Sequence, residues 1–268
     1  MTHLAPSQLA FVSLLAVLAG VSNSIAGGGM LLVFPALVGL GVPPIIANAT
    51  STVALWPGAI TSMLGYRSEL AGARAWARRF AVPSVVGGLV GALLLISTPE
   101  QRFKALVPWL VLGATVLFAA QQPIMKWINR DQSVADRLAA HNADGTLRPP
   151  TLLFLVVQFL VAIYGGYFGA GAGILMLGIL GLMGLTNIHQ MNGLKNWAAF
   201  CFNGVAIATF IVSGVVDWSL VLALAVSAAA GGYAASRMAQ RVPQAAVRFV
   251  IVAIGVGYGG WLLLGGGR

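Results

Sequence analysis

Ala26-Gly-Gly-Gly-Met-Leu-Leu-Val-Phe-Pro35, followed by Ala47-Asn-Ala-Thr-Ser-Thr52, is a pattern that the chain writes twice. Ala170-Gly-Ala-Gly-Ile-Leu-Met-Leu-Gly-Ile179 repeats its first part and Met191-Asn-Gly-Leu-Lys-Asn196 its second. At one constant offset Ala26 falls on Ala170, Gly27 on Gly171, Gly29 on Gly173, Leu31 on Leu175 and Asn48 on Asn192. Each copy is a glycine break inside an apolar run, then a polar cluster inside another.

The solvent around these runs follows from composition. Of 268 residues, 59% are hydrophobic and only 8% charged, a surface that no soluble domain of this length could present to water. Apolar blocks of about 20 residues, each long enough to cross roughly 30 Å of hydrocarbon, fill nearly the whole chain. Backbone groups in lipid must be satisfied internally, so the blocks read as helices of a polytopic all-α membrane protein. They are continuous and not alternating, which argues against an outer-membrane barrel. Cys201 is the single cysteine, so no internal disulfide forms and a thiolate metal cluster is excluded. The net charge of +9 comes from Arg and Lys that lie mostly at block ends. There they act as topology signals, and no nucleic-acid partner is expected. No Lys or Arg precedes Arg67, so the first block lacks the charged start of a signal peptide and reads as a membrane segment.

In chain order, Gln8 to Ile25 is an apolar helix that stops at Gly27-Gly-Gly29, and Met30 to Leu40 is too short to span alone. Gly41-Val-Pro-Pro44 is a turn. Ile45 to Gly65 is a full-length block, interrupted by Asn48 to Thr52 and by Pro57-Gly58. A basic connection holds Arg67, Arg74, Arg78 and Arg79, and the apolar blocks Phe80 to Ile96 and Ala105 to Ala120 follow. The second half runs likewise: Thr151 to Phe168, the break Gly169 to Gly173, Ile174 to Leu185, a turn Thr186-Asn-Ile-His189, then Met191 to Ser213, Leu220 to Ala235 and Phe249 to Leu264. The chain therefore divides into repeat 1 (residues 1–122), a hydrophilic linker (123–150) and repeat 2 (151–268).

The charges place equivalent loops on opposite sides. The connection after the second block of repeat 1 is strongly basic, hence cytoplasmic, while its counterpart around Asp217 has no basic residue. The next connection is weakly charged in repeat 1 (Ser97 to Lys104) but basic in repeat 2 (Arg237, Arg241, Arg248). That is the footprint of two inverted-topology repeats. Each would be a glycine-broken helical hairpin followed by three transmembrane helices, the hairpin either re-entrant or made of two short spans.

Paired interrupted segments point to a substrate site near the bilayer midplane, although a single glycine break commonly serves only close helix packing. A helix that starts at Gly29 or Gly173 presents backbone N–H groups and the positive end of its dipole, which attracts anions. Lys195 is the one cation deep within an apolar block. Its ammonium costs about 2.5–3.5 kcal/mol to insert, so it faces a protein interior or a wet cavity, or else snorkels from an interfacial turn. Asn192, Lys195 and Asn196 share one helical face, as do Asn48, Ser51 and Thr52. The acids are Glu69, Glu100, Asp131, Asp136, Asp144 and Asp217, all at block ends or in the linker. Metal-cation sites and carboxylate proton relays need an acid within the membrane. An anion fits this inventory better, and no cofactor or metal is expected. His189 is either a proton-coupling group or a polar cap. Trp56, Trp109, Trp197 and Trp218 read as interface anchors or packing. No hydrolase triad or Walker loop emerges, so the chain does not read as an enzyme.

The paired glycine breaks, Gly41-Val-Pro-Pro44 with Ala47-Asn-Ala-Thr-Ser51 after it, and the duplicated halves resemble the TauE/SafE sulfite exporter family of membrane permeases across essentially the whole chain. In the second half the family's usual Gly-Gly-Gly becomes Gly171-Ala-Gly173, and Met191-Asn-Gly-Leu-Lys195-Asn196 resembles a subgroup with a lysine at that place. The resemblance implies export of sulfite, or of a small organosulfonate such as sulfoacetate, across a bacterial inner membrane. The expected site is Gly27, Gly28, Gly29, Asn48, Ser51 and Thr52 from one half, with Gly171, Ala172, Gly173, Asn192, Lys195 and Asn196 from the other. A passive anion channel and a non-transporting assembly factor are the rival readings.

Overall fold

The computed structural model describes residues 4–25, 28–65, 67–130, 150–182, 185, 188–238 and 244–264. Gly27, Thr186, Asn187, Arg241 and most of the expected linker lie outside them. The described elements are helices: α1 (Pro6–Ile25), α2 (Met30–Gly39), α3 (Pro44–Gly65), α4 (Arg67–Gly72), α5 (Arg74–Ser97), α6 (Glu100–Arg130), α7 (Leu152–Tyr167), α8 (Ala172–Leu182), α9 (Ile188–Val212), α10 (Trp218–Met238) and α11 (Gln244–Leu263). Among the described residues, four stretches are long and apolar enough to cross a membrane: Pro6–Asn23, Arg74–Ser97, Glu100–Ala120 and His189–Val212. The outer faces carry large apolar side chains, such as Val82, Leu94, Trp109, Leu152, Leu222 and Val226, all at least half exposed. Such a belt is stable against lipid and not against water.

Several helices outrun the apolar blocks that announce them. α5 begins at Arg74, not Phe80, because its first turns are amphipathic. Trp76, Ala77, Phe80 and Ser84 are buried on one side while Arg74, Arg78 and Arg79 are exposed on the other. α6 continues to Arg130, past the expected start of the linker, through Gln, Met and Lys, which are good helix formers without being apolar. α3 runs unbroken through Asn48–Thr52 and Pro57. In a helix bundle neighbouring turns hold the helix across one missing hydrogen bond. His189 lies in the first turn of α9, exposed, and not in a preceding turn.

The duplication is visible in the elements. Pro44 and Ile188, Arg74 and Trp218, and Glu100 and Gln244 start α3 and α9, α5 and α10, and α6 and α11 at the very offset that carries Ala26 onto Ala170. Helix neighbours follow the same exchange. α1 packs along α10 as α7 packs along α5, α3 meets α10 as α9 meets α5, and α6 meets α8 as α11 meets α2. The pairs α6–α11 and α3–α9 join counterparts to each other.

Glycines set how closely these pairs approach. A methyl on Gly20 or Gly231 would overlap backbone across α1–α10, and one on Gly91 or Gly166 would do so across α5–α7. Small residues at such crossings let helix backbones pack by van der Waals contact where lipid supplies no hydrophobic drive. A buried Gln158 Nε2 donates to Ser84 Oγ at 2.9 Å and joins α7 to α5. Larger side chains fill two cores. One contains Val12, Leu31, Phe34, Phe103 and Phe118, the other Trp76, Phe80, Met176, Leu194 and Phe202.

Candidate functional site

Both glycine breaks place a sharp bend directly before a short helix. Gly28 (φ 86°) precedes α2, and Gly169 (φ 81°) and Gly171 (φ 83°) precede α8. Only glycine adopts this left-handed backbone without a Cβ penalty. Each break is pinned by a side chain six residues upstream. The Gly29 N–H donates to Asn23 Oδ1 at 2.9 Å, and the Tyr164 hydroxyl donates to the Ala170 carbonyl at 2.6 Å. Phe34 and Phe168 meet edge to face at 5.2 Å between the two short-helix regions.

The breaks face a common cavity of about 220 Å³. A water needs about 10–15 Å³ by a comparable measure, so the space admits a small solute. Gly28, Gly29 and Asn23 line it from the first break, and Gly169, Ala170, Gly171 and Gly173 from the second. α3 contributes Thr52, Leu55, Trp56 and Gly58, and α9 contributes Lys195, Asn196 and Asn203. Met30, Ile174 and Leu177 add apolar lining. Lys195 is half-buried; its stem lies against Gly173, where a Cβ would stand 3.3 Å from Lys195 Cδ. Its Nζ donates to Asn192 Oδ1 at 2.9 Å. Lys195 thus sits two turns inside a regular helix, not on an interfacial turn. The positive ends of α2 and α8 and one ammonium surround the space, and none of its lining residues among those described is acidic.

Of the residues expected at the site, Gly28, Gly29, Thr52, Gly171, Gly173, Lys195 and Asn196 line the cavity. Asn192 stands behind, holding Lys195. Asn48 ties α3 to the second break: its Nδ2 donates to the Tyr167 carbonyl at 3.1 Å, while its Oδ1 is buried with no partner among the described residues. Ser51 Oγ is likewise buried and unpartnered. Thr52 Oγ1 donates to the Asn48 carbonyl at 2.8 Å. Ala172 opens α8 without lining the space, and Gly27 is outside the described residues.

The sequence reading missed Asn23, Trp56 and Asn203. Asn203 lies seven residues beyond Asn196 and Trp56 four beyond Thr52, so following the two polar faces one or two turns further reaches both. Trp56 was expected to anchor or pack. Its ring does stack on Phe200 at 5.6 Å, but it also forms part of the wall. Trp197 packs, with Nε1 donating to the Ala77 carbonyl at 2.8 Å, and Trp109 and Trp218 are exposed on the outer faces.

Fold and cavity together define a multi-pass helical membrane protein whose halves enclose a solute-sized, partly polar space. The chain belongs to the sulfite exporter TauE/SafE family, whose family model matches residues 12–262. It is 26% identical over 257 residues, 96% of its length and 92% of the relative's, to a "probable membrane transporter protein ORF9" of a Sinorhizobium species. A "probable membrane transporter protein" of Haemophilus influenzae is 25% identical over 86% of this chain and 84% of its own. YfcA of Escherichia coli strain K12, with the same description, is 26% identical over 93% of this chain and 87% of its own. No solved structure matches the chain. Family and relatives identify a membrane transporter.

Proposed function

We propose that this protein is a secondary transporter that exports a small sulfur-containing anion, sulfite or an organosulfonate such as sulfoacetate, across a bacterial inner membrane by alternating access. The observation that carries this reading is the sign of the cavity. Two helix N-termini and Lys195 converge on it, and its lining among the described residues includes no carboxylate. Like partial charges gathered in a low-dielectric space repel one another, and a bound anion relieves that repulsion. Backbone N–H groups at Gly28, Met30, Gly171 and Gly173 with the Lys195 ammonium replace hydration, and Thr52 and Asn196 orient the guest. The exchange of helix pairs between the halves suits a pseudo-twofold transporter, and the opposite charge of equivalent loops supports an inverted one. Outward movement of one negative charge is downhill by about 2.3 kcal/mol per 100 mV of inside-negative potential, so export needs no further coupling.

Flux of labelled sulfite and sulfoacetate in proteoliposomes tests this. Saturable flux with counterflow is the expected result. Flux that rises linearly with concentration indicates a channel, and no flux of either anion above empty vesicles overturns the reading.

A further inference from the structure

The cavity is larger and more apolar than a bare oxyanion requires. Its polar lining comes from the glycine breaks and from Asn23, Thr52, Lys195, Asn196 and Asn203, yet Met30, Leu55, Trp56, Ile174 and Leu177 also line it. Trp56 decides what that side offers. Its indole Nε1 is buried from solvent and cavity alike, with no partner among the described residues, so the part of the ring lining the space is carbon. Stacking on Phe200, itself stacked on Trp197 at 6.0 Å, holds the ring in that position. An inorganic oxyanion seated at Lys195 leaves this wall in contact with water. An organic body attached to the same head group covers it and removes apolar surface from water on both partners.

We infer that the site selects an amphiphilic organic anion, an acidic head at Lys195 and the glycine breaks carrying an apolar body of several carbons along Trp56, Leu55 and Leu177, over bare sulfite. This rests on the transporter reading above and specifies its substrate class. Leu55 and Trp56 come from one half and Leu177 and Lys195 from the other, so such a guest bridges the halves and its body length is read by both.

The test is a homologous series with a constant head group: methane-, ethane-, propane- and butanesulfonate competing with labelled sulfite flux in proteoliposomes of the full chain. The expected result is a half-inhibitory concentration that falls about fourfold per methylene until the cavity is filled. Trp56→Ala and Leu177→Ala, each checked for an unchanged melting temperature, are expected to flatten that slope; two variants guard against one failing to fold. A flat or rising series with saturable sulfite flux overturns this inference and leaves the transporter standing. A slope that both folded variants leave intact also overturns it, because the apolar wall then does no selecting. Neither sulfite flux nor binding of any sulfonate, read as thermal stabilisation, removes both.

Discussion

At the residue scale the two polar clusters, though equivalent in sequence, do different work. Lys195 reaches the cavity and Asn192 holds it, whereas at the matching positions Ser51 Oγ and Asn48 Oδ1 are buried without partners among the described residues. A buried polar atom left unpaired costs free energy. Ser51→Ala is therefore expected to leave the melting temperature unchanged or to raise it, by no more than about 1 kcal/mol in stability. A clear loss of stability in detergent would show that the hydroxyl has a partner. Gly28→Ala goes the other way. The left-handed backbone costs roughly 1–2 kcal/mol with a Cβ present, and the new methyl would stand 2.7 Å from the Phe118 ring. Thermal unfolding should show at least that loss, while Gly58→Ala, which meets nothing within 4 Å, serves as the control. Lys195, Thr52 and Asn196 were legible because polar groups stand out in an apolar run. Trp56 was not, because an indole in a membrane helix looks the same whether it faces lipid, a neighbour or a cavity.

At the element scale, close crossings carry the architecture. Gly231 on α10 and Gly166 on α7 pack against backbone of α1 and α5, the counterpart pair. Gly166→Leu and Gly231→Leu should each cost at least about 1–3 kcal/mol by overpacking, measured as loss of melting temperature or of folded yield, and to a comparable extent. A large effect at one and none at the other would contradict the equivalence of the two crossings. Block boundaries were the weaker part of the sequence reading. Hydropathy finds where lipid contact begins, but a helix starts and ends by hydrogen bonding and capping. α5 thus starts within the arginines, where one amphipathic face is buried, and α6 runs on past Ala120 with helix-forming polar residues. The short helices α2 and α8 were readable from their glycines, since a left-handed turn demands that residue.

At the scale of the whole molecule, the repeat was legible because both copies kept their glycines and asparagines at one offset. The neighbour relations of the helices were not, since nothing in a single chain says that α1 lies along α10. The proposed inversion of the two halves makes a sidedness prediction. With Cys201 replaced by Ser, a cysteine at the exposed Ser68 should react with an impermeant thiol reagent only from the cytoplasmic side. One at the exposed Ser213, at the end of α9, should react only from outside. Labelling of both from the same side would overturn the inversion while leaving the paired helices in place.

The most direct test of the central claim, that an anion crosses through the cavity on Lys195, is saturable sulfite or sulfoacetate flux in proteoliposomes for the native chain, Lys195→Arg and Lys195→Met. The account predicts at least about a tenfold loss in the methionine variant, the equivalent of roughly 1.4 kcal/mol of lost anion stabilisation. It also predicts partial retention in the arginine variant, with all three proteins melting as folded bundles. Native-level flux in folded Lys195→Met would contradict it.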